Sequence, residues 1–264
     1  MPPVAAAFRS PAHRSPFPAR SLVIEVVTCV FGVMAAINPG PPCHAQDTET
    51  PASHNQLTSA EKDAGWILLF NGRDTTGWKT SSGEPSRRPV ENDCLNPHKC
   101  GGYMLVYHEP VENFQLALDF KISPKCNSGL FFRTHSLKPR PGKDVGFNGL
   151  EVAIDDTTTA GYHDTGAIYD LVKPKRNAMK PAGEWNHLVL TCDGPQVQVE
   201  LNGERVTTMD LDQWTEPNRR PDGSEHKFDL AYSQHPRRGF LGLQDHGSDC
   251  WFRNLKLRPL PDRR

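Results

Sequence analysis

Phe114-Gln115-Leu116-Ala117-Leu118-Asp119-Phe120-Lys121-Ile122 is the stretch of sequence that decides the fold class. Large apolar residues occupy every second position, and small or polar residues fill the positions between them. In a β-strand this period of two places all the large apolar side chains on one face. The stretch therefore predicts a strand with one face buried in a core and the other face turned outward.

Short apolar runs of the same kind occur along the rest of the chain and are separated by turn residues. One of them leads into Asn202-Gly203, the dipeptide that most strongly indicates a β-hairpin. No window keeps a helical period over a useful length, so crossover helices between parallel strands are not expected. The sequence predicts an all-β sandwich of two antiparallel sheets, with Phe114–Ile122 and Trp185–Leu201 among its core strands and no long helix after residue 60.

The first 45 residues have the organisation of an export signal. Three arginines precede the apolar run Leu22–Ile37, and a Pro/Gly break and small residues follow up to Ala45. A basic region, an apolar region and a small-residue cleavage site occur in this order in signal peptides. A disordered leader and a membrane anchor are the alternatives, although Glu25 and the short run are unfavourable for a membrane span.

We therefore expect an exported chain, periplasmic or extracellular, that is cleaved near Ala45 and has no stable membrane span after processing. Residues 46–63 are polar and predict a linker, and residues 64–261 predict one sandwich domain. A formal net charge of -1 gives no reason to expect nucleic acid as a partner.

The cysteines of the predicted mature chain give no metal signature. After the leader is removed, the five that remain are Cys94, Cys100, Cys126, Cys192 and Cys250, and none of them has CxxC spacing. An exported protein permits disulfides, and the short separation of Cys94 from Cys100 allows a small closed loop. An odd number leaves at least one thiol unpaired within the chain.

The run Leu150–Asp155 carries carboxylates on a strand. Its apolar residues alternate and predict a core face, so Glu151, Ala153 and Asp155 share the opposite face. Ala153 would leave room for a ligand above the sheet. The Cα atoms of the two acids are expected about 13 Å apart, whereas glycosidase carboxylate pairs are separated by about 5–9.5 Å. Two solvated acids on an outward face are the simpler interpretation.

Three further polar stretches interrupt apolar strands. Asn127-Ser128-Gly129 precedes Arg133. For this arginine, a structural pairing with a carboxylate and a role in substrate binding are equally favoured. His163–Tyr169 is typical of a turn capped by Asp164. Gln244-Asp245-His246-Gly247 ends a strand, where a histidine can face a groove, although a lone histidine is more often structural. No HExxH, GxSxG or P-loop signature is present, so a serine or cysteine nucleophile has no support.

Taken together and in this order, the polar stretches resemble the 3-keto-disaccharide hydrolase family, and the resemblance covers roughly residues 64–260. The residues that carry it are Leu69–Asp74 with Gly77-Trp78, Asn127–Gly129 with Phe131 and Arg133, Gly149–Val152, Thr165–Tyr169, Asn177 with Lys180-Pro181, Gly183–Asn186, Leu201–Gly203, Gln244–Gly247 and Phe252–Asn254.

The resemblance implies a concanavalin A-like jelly-roll fold and a substrate whose glucose C3 is a ketone. Such a ketone acidifies the C2 proton, so that a base can remove it, the enolate can expel the C1 oxygen, and water can add back. Glu151 or His246 is the expected base, and Arg133, Lys180 or a bound divalent metal would stabilise the enolate oxygen. No cofactor is derivable from the spacings, and a metal is left open.

The same resemblance implies that further polar residues contact the sugar. The expected substrate-binding residues are Arg133, Asp155, Lys180, Asn127 and Gln244. The fold alone does not decide function, because a β-sandwich also serves non-catalytic carbohydrate-binding modules and surface-adhesion domains. An enzyme predicts a groove with converging ionisable groups, whereas a binding module predicts exposed aromatic platforms.

Overall fold

The structure is a computed structural model that describes residues 54–261. One short helix, α1 (Ser59–Asp63), precedes eleven strands in the described chain. The strands are β1 (Ile67–Leu68), β2 (Trp78–Thr80), β3 (Met104–Tyr107), β4 (Phe114–Ile122), β5 (Asn127–Thr134), β6 (Leu150–Asp155), β7 (Asn186–Asp193), β8 (Gln196–Leu201), β9 (Glu204–Asp210), β10 (Phe240–Gln244) and β11 (Cys250–Pro259). Three 3-10 turns lie at Val145–Asn148, Leu211–Gln213 and Tyr232–Gln234.

The strands form two antiparallel sheets. The six-stranded sheet has the order β1-β11-β4-β7-β8-β9, and the five-stranded sheet has the order β2-β3-β10-β5-β6. Apolar side chains from both sheets fill one shared core, which includes Phe120, Leu190, Phe132 and Val152. The predicted all-β sandwich is therefore confirmed. The core strands predicted at 114–122 and 185–201 belong to the same sheet, as β4, β7 and β8.

Local sequence explains the main features of these sheets. Every second residue of β4 is buried, as its alternation predicts. Asn202 and Gly203 both have positive φ, at 52° and 83°, which is the backbone that a tight Asn-Gly hairpin turn requires. The β8–β9 hairpin therefore follows directly from the dipeptide.

Residues 54–63 differ from the predicted linker because they pack against the six-stranded sheet. Asn55 is 3% exposed and exchanges backbone–side-chain hydrogen bonds with Asn254. Thr58 and Glu61 form a capping box at the start of α1, and Glu61 pairs with Lys256 of β11 at 2.7 Å. This part of the chain is therefore attached to the sandwich. The predicted signal peptide and residues 46–53 lie outside the described residues.

The five cysteines between Cys94 and Cys250 are all buried free thiols, so no disulfide closes the short loop from Cys94 to Cys100. Cys94 donates to the carbonyl oxygen of Asn92, and Cys100 donates to that of Gly102. In the described part of the chain no helix has the length and apolar character needed to cross a membrane.

Candidate active site

A pocket of about 160 Å³ opens on the outer face of the five-stranded sheet. Its floor is built from β5, β6 and β10. Its walls come from the residue before β3, from the connections that follow β5, β6 and β10, and from the connection that precedes β10. The lining residues include four expected from the sequence, Asn127, Glu151, Gln244 and His246. They also include residues that were not expected at the site, namely Tyr103, Phe131, Asp144, Phe147, Tyr169, Lys227 and Phe228.

Glu151 lies at the bottom of this pocket with 9% of its surface exposed. Its side chain lies over Gly129 of the neighbouring strand, where an added Cβ would come within 2.7 Å of the carboxyl carbon. Glycine is therefore required at 129 to leave space for the carboxylate. The room that the sequence assigned to Ala153 is provided by Gly129 instead, because Ala153 is 2% exposed and covered by residues 166–167.

Burial raises the pKa of Glu151 to about 8. The nearby ammonium of Lys227 opposes this shift, and the carboxylates of Asp144 and Asp155 add to it. Its carboxylate accepts no hydrogen bond from any residue between 54 and 261. The side chain is therefore a basic carboxyl group that is mostly protonated at neutral pH and is free to bond to a ligand.

The raised pKa of Glu151 makes the stability of the fold dependent on pH. The folded state holds this proton more tightly than the unfolded chain, so the stabilisation is complete below about pH 4.5 and is lost as pH rises through about 8. Over this pH range we expect the free energy of unfolding of Glu151→Gln to fall less than that of the parent. The difference between the two falls should be on the order of a few kcal/mol.

Urea denaturation at closely spaced pH values measures this difference. Glu184→Gln, which alters an exposed acid away from the pocket, is the matched control and should keep the parent slope. An identical pH dependence in Glu151→Gln and the parent would show that Glu151 has an ordinary pKa.

Gln244 and Tyr103 form a polar pair on the floor of the pocket. The Gln244 amide donates to the Tyr103 hydroxyl at 3.1 Å, while its own oxygen, although buried, has no hydrogen-bond partner within residues 54–261. Burial and the nearby carboxylate of Asp144 raise the pKa of Tyr103, so the phenol keeps its proton at neutral pH. The pair can therefore bond to ligand hydroxyl or carbonyl groups.

His246 lies at the exposed rim of the same pocket, directly after β10. Its neighbour Asp245 does not orient the imidazole. The Asp245 carboxylate instead bonds to the ring of His98 at 3.2 Å and accepts from the backbone N–H groups of Lys99 and Gly247. Asp245 thus fixes the turn that presents His246.

Lys227 is brought to the pocket by the connection between β9 and β10. The stretch 212–227 is rich in Pro, Arg, Asp and Gly, a composition typical of a surface loop. Its Arg220 is nevertheless 8% exposed and donates to the backbone and carboxylate oxygens of Asp170, at 2.6 and 3.1 Å. The Asp170 carboxylate also accepts from the backbone N–H of Lys227 at 2.8 Å. The Lys227 ammonium lies 4.1 Å from the centre of the Tyr169 ring. Arg220 and Asp170 thereby hold a cation at the pocket.

Asp155 and Lys180 do not line the pocket. Asp155 lies beside it and accepts a long hydrogen bond from Asn127 at 3.5 Å. Lys180 lies in the connection that enters β7 of the other sheet, and its ammonium donates to the carbonyl oxygen of Trp185 at 3.1 Å. Lys180 is therefore placed away from Glu151, in contrast to the expectation that both share one surface.

Arg133 also differs from its expected placement, because it points into the sandwich. The pairing of β5 with β10 shifts register between Phe240 and Gly242, and Arg133 adopts a positive φ of 51° at this bulge. The side chain is fully buried and donates to the carbonyl oxygen of Gly194 in the β7–β8 turn at 2.7 Å. The geometry supports the structural alternative for this residue.

We expect Arg133→Ala to lower the free energy of unfolding by about 3 kcal/mol, because it leaves a cavity between the sheets. Arg133→Met should stay within about 1 kcal/mol of the parent, since the Nε and Nη1 atoms that it removes have no hydrogen-bond partner in the described chain. Denaturant titration of the two variants measures this. A well-folded Arg133→Met that lost sugar cleavage would restore Arg133 to the substrate site.

No group of three or more His, Cys, Asp or Glu side chains within residues 54–261 is arranged to hold a metal ion. The acids nearest the pocket, Glu151, Asp144 and Asp155, act on one another as separate charges. Nothing in this donor set points to a resident metal.

Comparison with known proteins identifies the family. The chain belongs to the 3-keto-alpha-glucoside-1,2-lyase-like domain family, whose model matches residues 65–258. A 3-keto-disaccharide hydrolase of Bacteroides thetaiotaomicron is 27% identical in an alignment that covers 77% of this chain and 84% of the relative.

Two crystal structures of Parabacteroides distasonis proteins, each described as a "putative glycosyl hydrolase", have similar folds. The first has a TM-score of 0.60 and 30% sequence identity, and the match covers 74% of this chain and 99% of that protein. The second has a TM-score of 0.65 and 26% sequence identity, and the match covers 79% of this chain and 100% of that protein. The family and these relatives favour an enzyme over a non-catalytic binding or adhesion module.

Proposed function

We propose that this protein cleaves glycosides whose glucose C3 is oxidised to a ketone, by elimination across C1 and C2 followed by addition of water. The observation that carries the proposal is the convergence of a buried carboxyl group, an exposed imidazole and an ammonium group on one pocket. The names of the family and of the B. thetaiotaomicron relative support the same substrate class.

The size of the pocket suits one sugar ring. Its volume of about 160 Å³ is smaller than the roughly 300 Å³ at which sites for drug-sized ligands begin. The keto sugar would enter the pocket, while the leaving group would remain at the rim near His246. The aromatic walls, which include Phe131 and Phe147, would contact the apolar face of the ring.

In the first step, Glu151 removes the proton from C2 of the substrate and the electrons move onto the C3 oxygen. The C1–O bond then breaks, and His246 at the rim protonates the leaving oxygen. A carboxylate whose conjugate acid has a pKa of about 8 is a stronger base than an ordinary one, although roughly a tenth of it is ionised at pH 7. Water adds to C1 of the resulting enone and gives up a proton to the now neutral His246, and Glu151 returns a proton to C2, so both groups regain their starting states.

The negative charge that develops on the C3 oxygen needs a donor on the same side of the sugar. Lys227 and the protonated hydroxyl of Tyr103 are the candidates that line the pocket. They replace Arg133 and Lys180, which the sequence favoured for this role. The Asp170 carboxylate accepts a hydrogen bond from the backbone N–H of Lys227. This bond fixes the backbone of Lys227, so its ammonium lies close to Glu151 before substrate binds.

Lys227→Met should lower kcat/KM by about tenfold, the equivalent of one charge-assisted hydrogen bond of about 1.5 kcal/mol. It should also move the rise of rate with pH to more alkaline values, since Lys227 lowers the pKa of Glu151. Lys227→Arg, which keeps the charge, is the matched control. Pre-steady-state rates measured from pH 6 to 10 test this, and an unmoved pH profile would contradict a role for the ammonium beside Glu151.

The direct test of the function is incubation of the purified protein with a 3-keto-glucoside and with the same glucoside unoxidised. We expect release of the leaving group from the keto form alone, and deuterium from D₂O at C2 of the product. Cleavage of the unoxidised glucoside at a similar rate would overturn the elimination route, because its C2 proton is not acidic.

Export belongs to the same proposal, with cleavage near Ala45 and a periplasmic or extracellular location. The basic and apolar order of the first 45 residues supports it. N-terminal sequencing of the protein from its native host should find a start near Gln46. An intact Met1 on cytoplasmic protein would contradict it.

A further inference from the structure

Two connections cross from one sheet to the other beside the pocket, one from β4 to β5 and one from β10 to β11. They run next to each other, and the backbone N–H of Ser123 in the first donates to the carbonyl oxygen of Asp249 in the second at 3.0 Å. Each connection also carries or adjoins a residue that lines the pocket, Asn127 at the start of β5 and His246 after β10. The spacing of the two connections therefore affects the shape of the pocket rim.

A cysteine stands at the end of each of these connections. Cys126 comes directly before Asn127, and Cys250 is the first residue of β11. Both are completely buried and belong to the core that the two sheets share. The two thiols contact each other through a hydrogen bond, and the Cys250 thiol also contacts the hydroxyl of Ser128. Two sulfur atoms from segments far apart in the sequence thus lie side by side.

The other three cysteines between residues 54 and 261 have different surroundings. The thiols of Cys94 and Cys100 each donate to a backbone carbonyl oxygen two residues away. Cys192 pairs with Phe114 at the start of β4, whereas Cys250 pairs with the last residue of that strand, so these two cysteines lie at opposite ends of the sheet. The contact between thiols therefore selects one pair, at the pocket end of the sandwich.

We propose that Cys126 and Cys250 form a disulfide in the mature exported protein, which joins the two connections and stabilises this end of the sandwich. The two thiols lose two protons and two electrons, and the disulfide of an oxidant takes them up and becomes two thiols. The sulfur atoms must approach to about 2.0 Å, which side-chain rotation can supply because the thiols already face each other. The closed loop from 126 to 250 is long, so the link should restrict the unfolded chain strongly.

Burial determines when the link forms. Neither cysteine is exposed in the folded protein, and burial raises the pKa of the Cys250 thiol well above its usual range. The thiolate is the attacking species in thiol–disulfide exchange, so the folded protein reacts slowly. The link therefore forms while the chain folds in an oxidising compartment, and the core then shields it from reductants. This timing rests on the export proposed above, whereas the ability of the chain to form the link does not.

Refolding of the purified full chain from the reduced, denatured state tests the proposal, in glutathione buffer with the oxidised form in excess and in dithiothreitol. Free thiols are then alkylated, and the protein is digested without reduction for mass spectrometry. We expect a cross-linked peptide pair that contains Cys126 and Cys250 in the glutathione sample alone. The midpoint of thermal unfolding of this sample should be about 10 °C above that of the reduced protein. N-terminal sequencing tests export separately.

Cys250→Ala should remove both the link and the difference in midpoint between the two refolding conditions. Cys192→Ala, which alters an equally buried cysteine, is the matched control and should keep both. The comparison of the two redox states of the parent needs no variant, so it holds even where Cys250→Ala folds poorly. The proposal is overturned if Cys126 and Cys250 are both alkylated after oxidative refolding, or if either is linked to a different cysteine. A link that left the midpoint unchanged would overturn its stabilising role.

Discussion

Glu151→Gln should lower the rate of cleavage of a 3-keto-glucoside by at least about 10²-fold, the usual contribution of a general base. The amide keeps the size and shape of the side chain over Gly129 but cannot accept the C2 proton. The carboxyl group is 9% exposed and accepts no hydrogen bond from the described residues, so its removal breaks no internal bond. The variant should remain folded, and exchange of the C2 hydrogen with solvent should fall with the cleavage rate.

The pH dependence of the parent should identify Glu151 as the group responsible. If the carboxylate is the base, kcat/KM for a nitrophenyl 3-keto-glucoside, whose leaving group needs no acid, rises with pH and levels off above about 8, where the ionised form prevails. The residual rate of Glu151→Gln should lack this rise. Glu184→Gln is the matched control and should keep both the parent rate and the parent profile. A parent rate on the nitrophenyl substrate that falls as pH increases through 8 would make Glu151 the acid instead.

The location of the strands, and the side of the sheet to which their side chains point, were predictable from the sequence because both depend on local alternation of apolar and polar residues. The period of two in β4 gives the buried and exposed faces of that strand directly. The same reasoning placed Glu151 on the outer face of β6, and it lies there at the floor of the pocket. Asn127 of β5 and Gln244 of β10 line the same pocket, but their place near the sugar was expected from the family resemblance and not from strand alternation.

Arg133 shows where alternation fails. A bulge inserts one extra residue into β5 opposite β10, and the left-handed backbone at Arg133 turns the side chain toward the core. Nothing in the residues around 133 identifies a bulge, since neither glycine nor asparagine occupies the left-handed position. The register of β5 with β10, which is a tertiary property, decides the direction of this side chain.

Lys227 shows a second kind of failure. It stands at the end of an irregular stretch, far in sequence from Glu151, and reaches the pocket through the bonds of Arg220 and Asp170. Strand periodicity says nothing about such a loop. The length and composition of residues 212–227 were the available signal, because long loops in compact domains are often functional. That signal identifies the segment but does not select the lysine.

The placement of His246 and Glu151 divides the proposed chemistry between two environments. Glu151 is enclosed, and burial raises its pKa to about 8. His246 is exposed at the rim, where the leaving group would emerge. A buried base beside the acidified carbon and an accessible acid beside the departing oxygen match the order in which the two bonds would break.

His246→Asn should therefore slow cleavage by about 10²-fold, with the loss depending on the leaving group. A sugar alkoxide needs protonation as it departs, whereas a nitrophenolate is stable without it. We expect the variant to cleave a 3-keto-disaccharide about 10²-fold more slowly than the parent and a nitrophenyl 3-keto-glucoside at nearly the parent rate. C2 hydrogen exchange should persist, in contrast to Glu151→Gln. His108→Asn, at an exposed position directly after β3, is the control. Equal losses on both substrates, together with loss of exchange, would make His246 the base that removes the C2 proton.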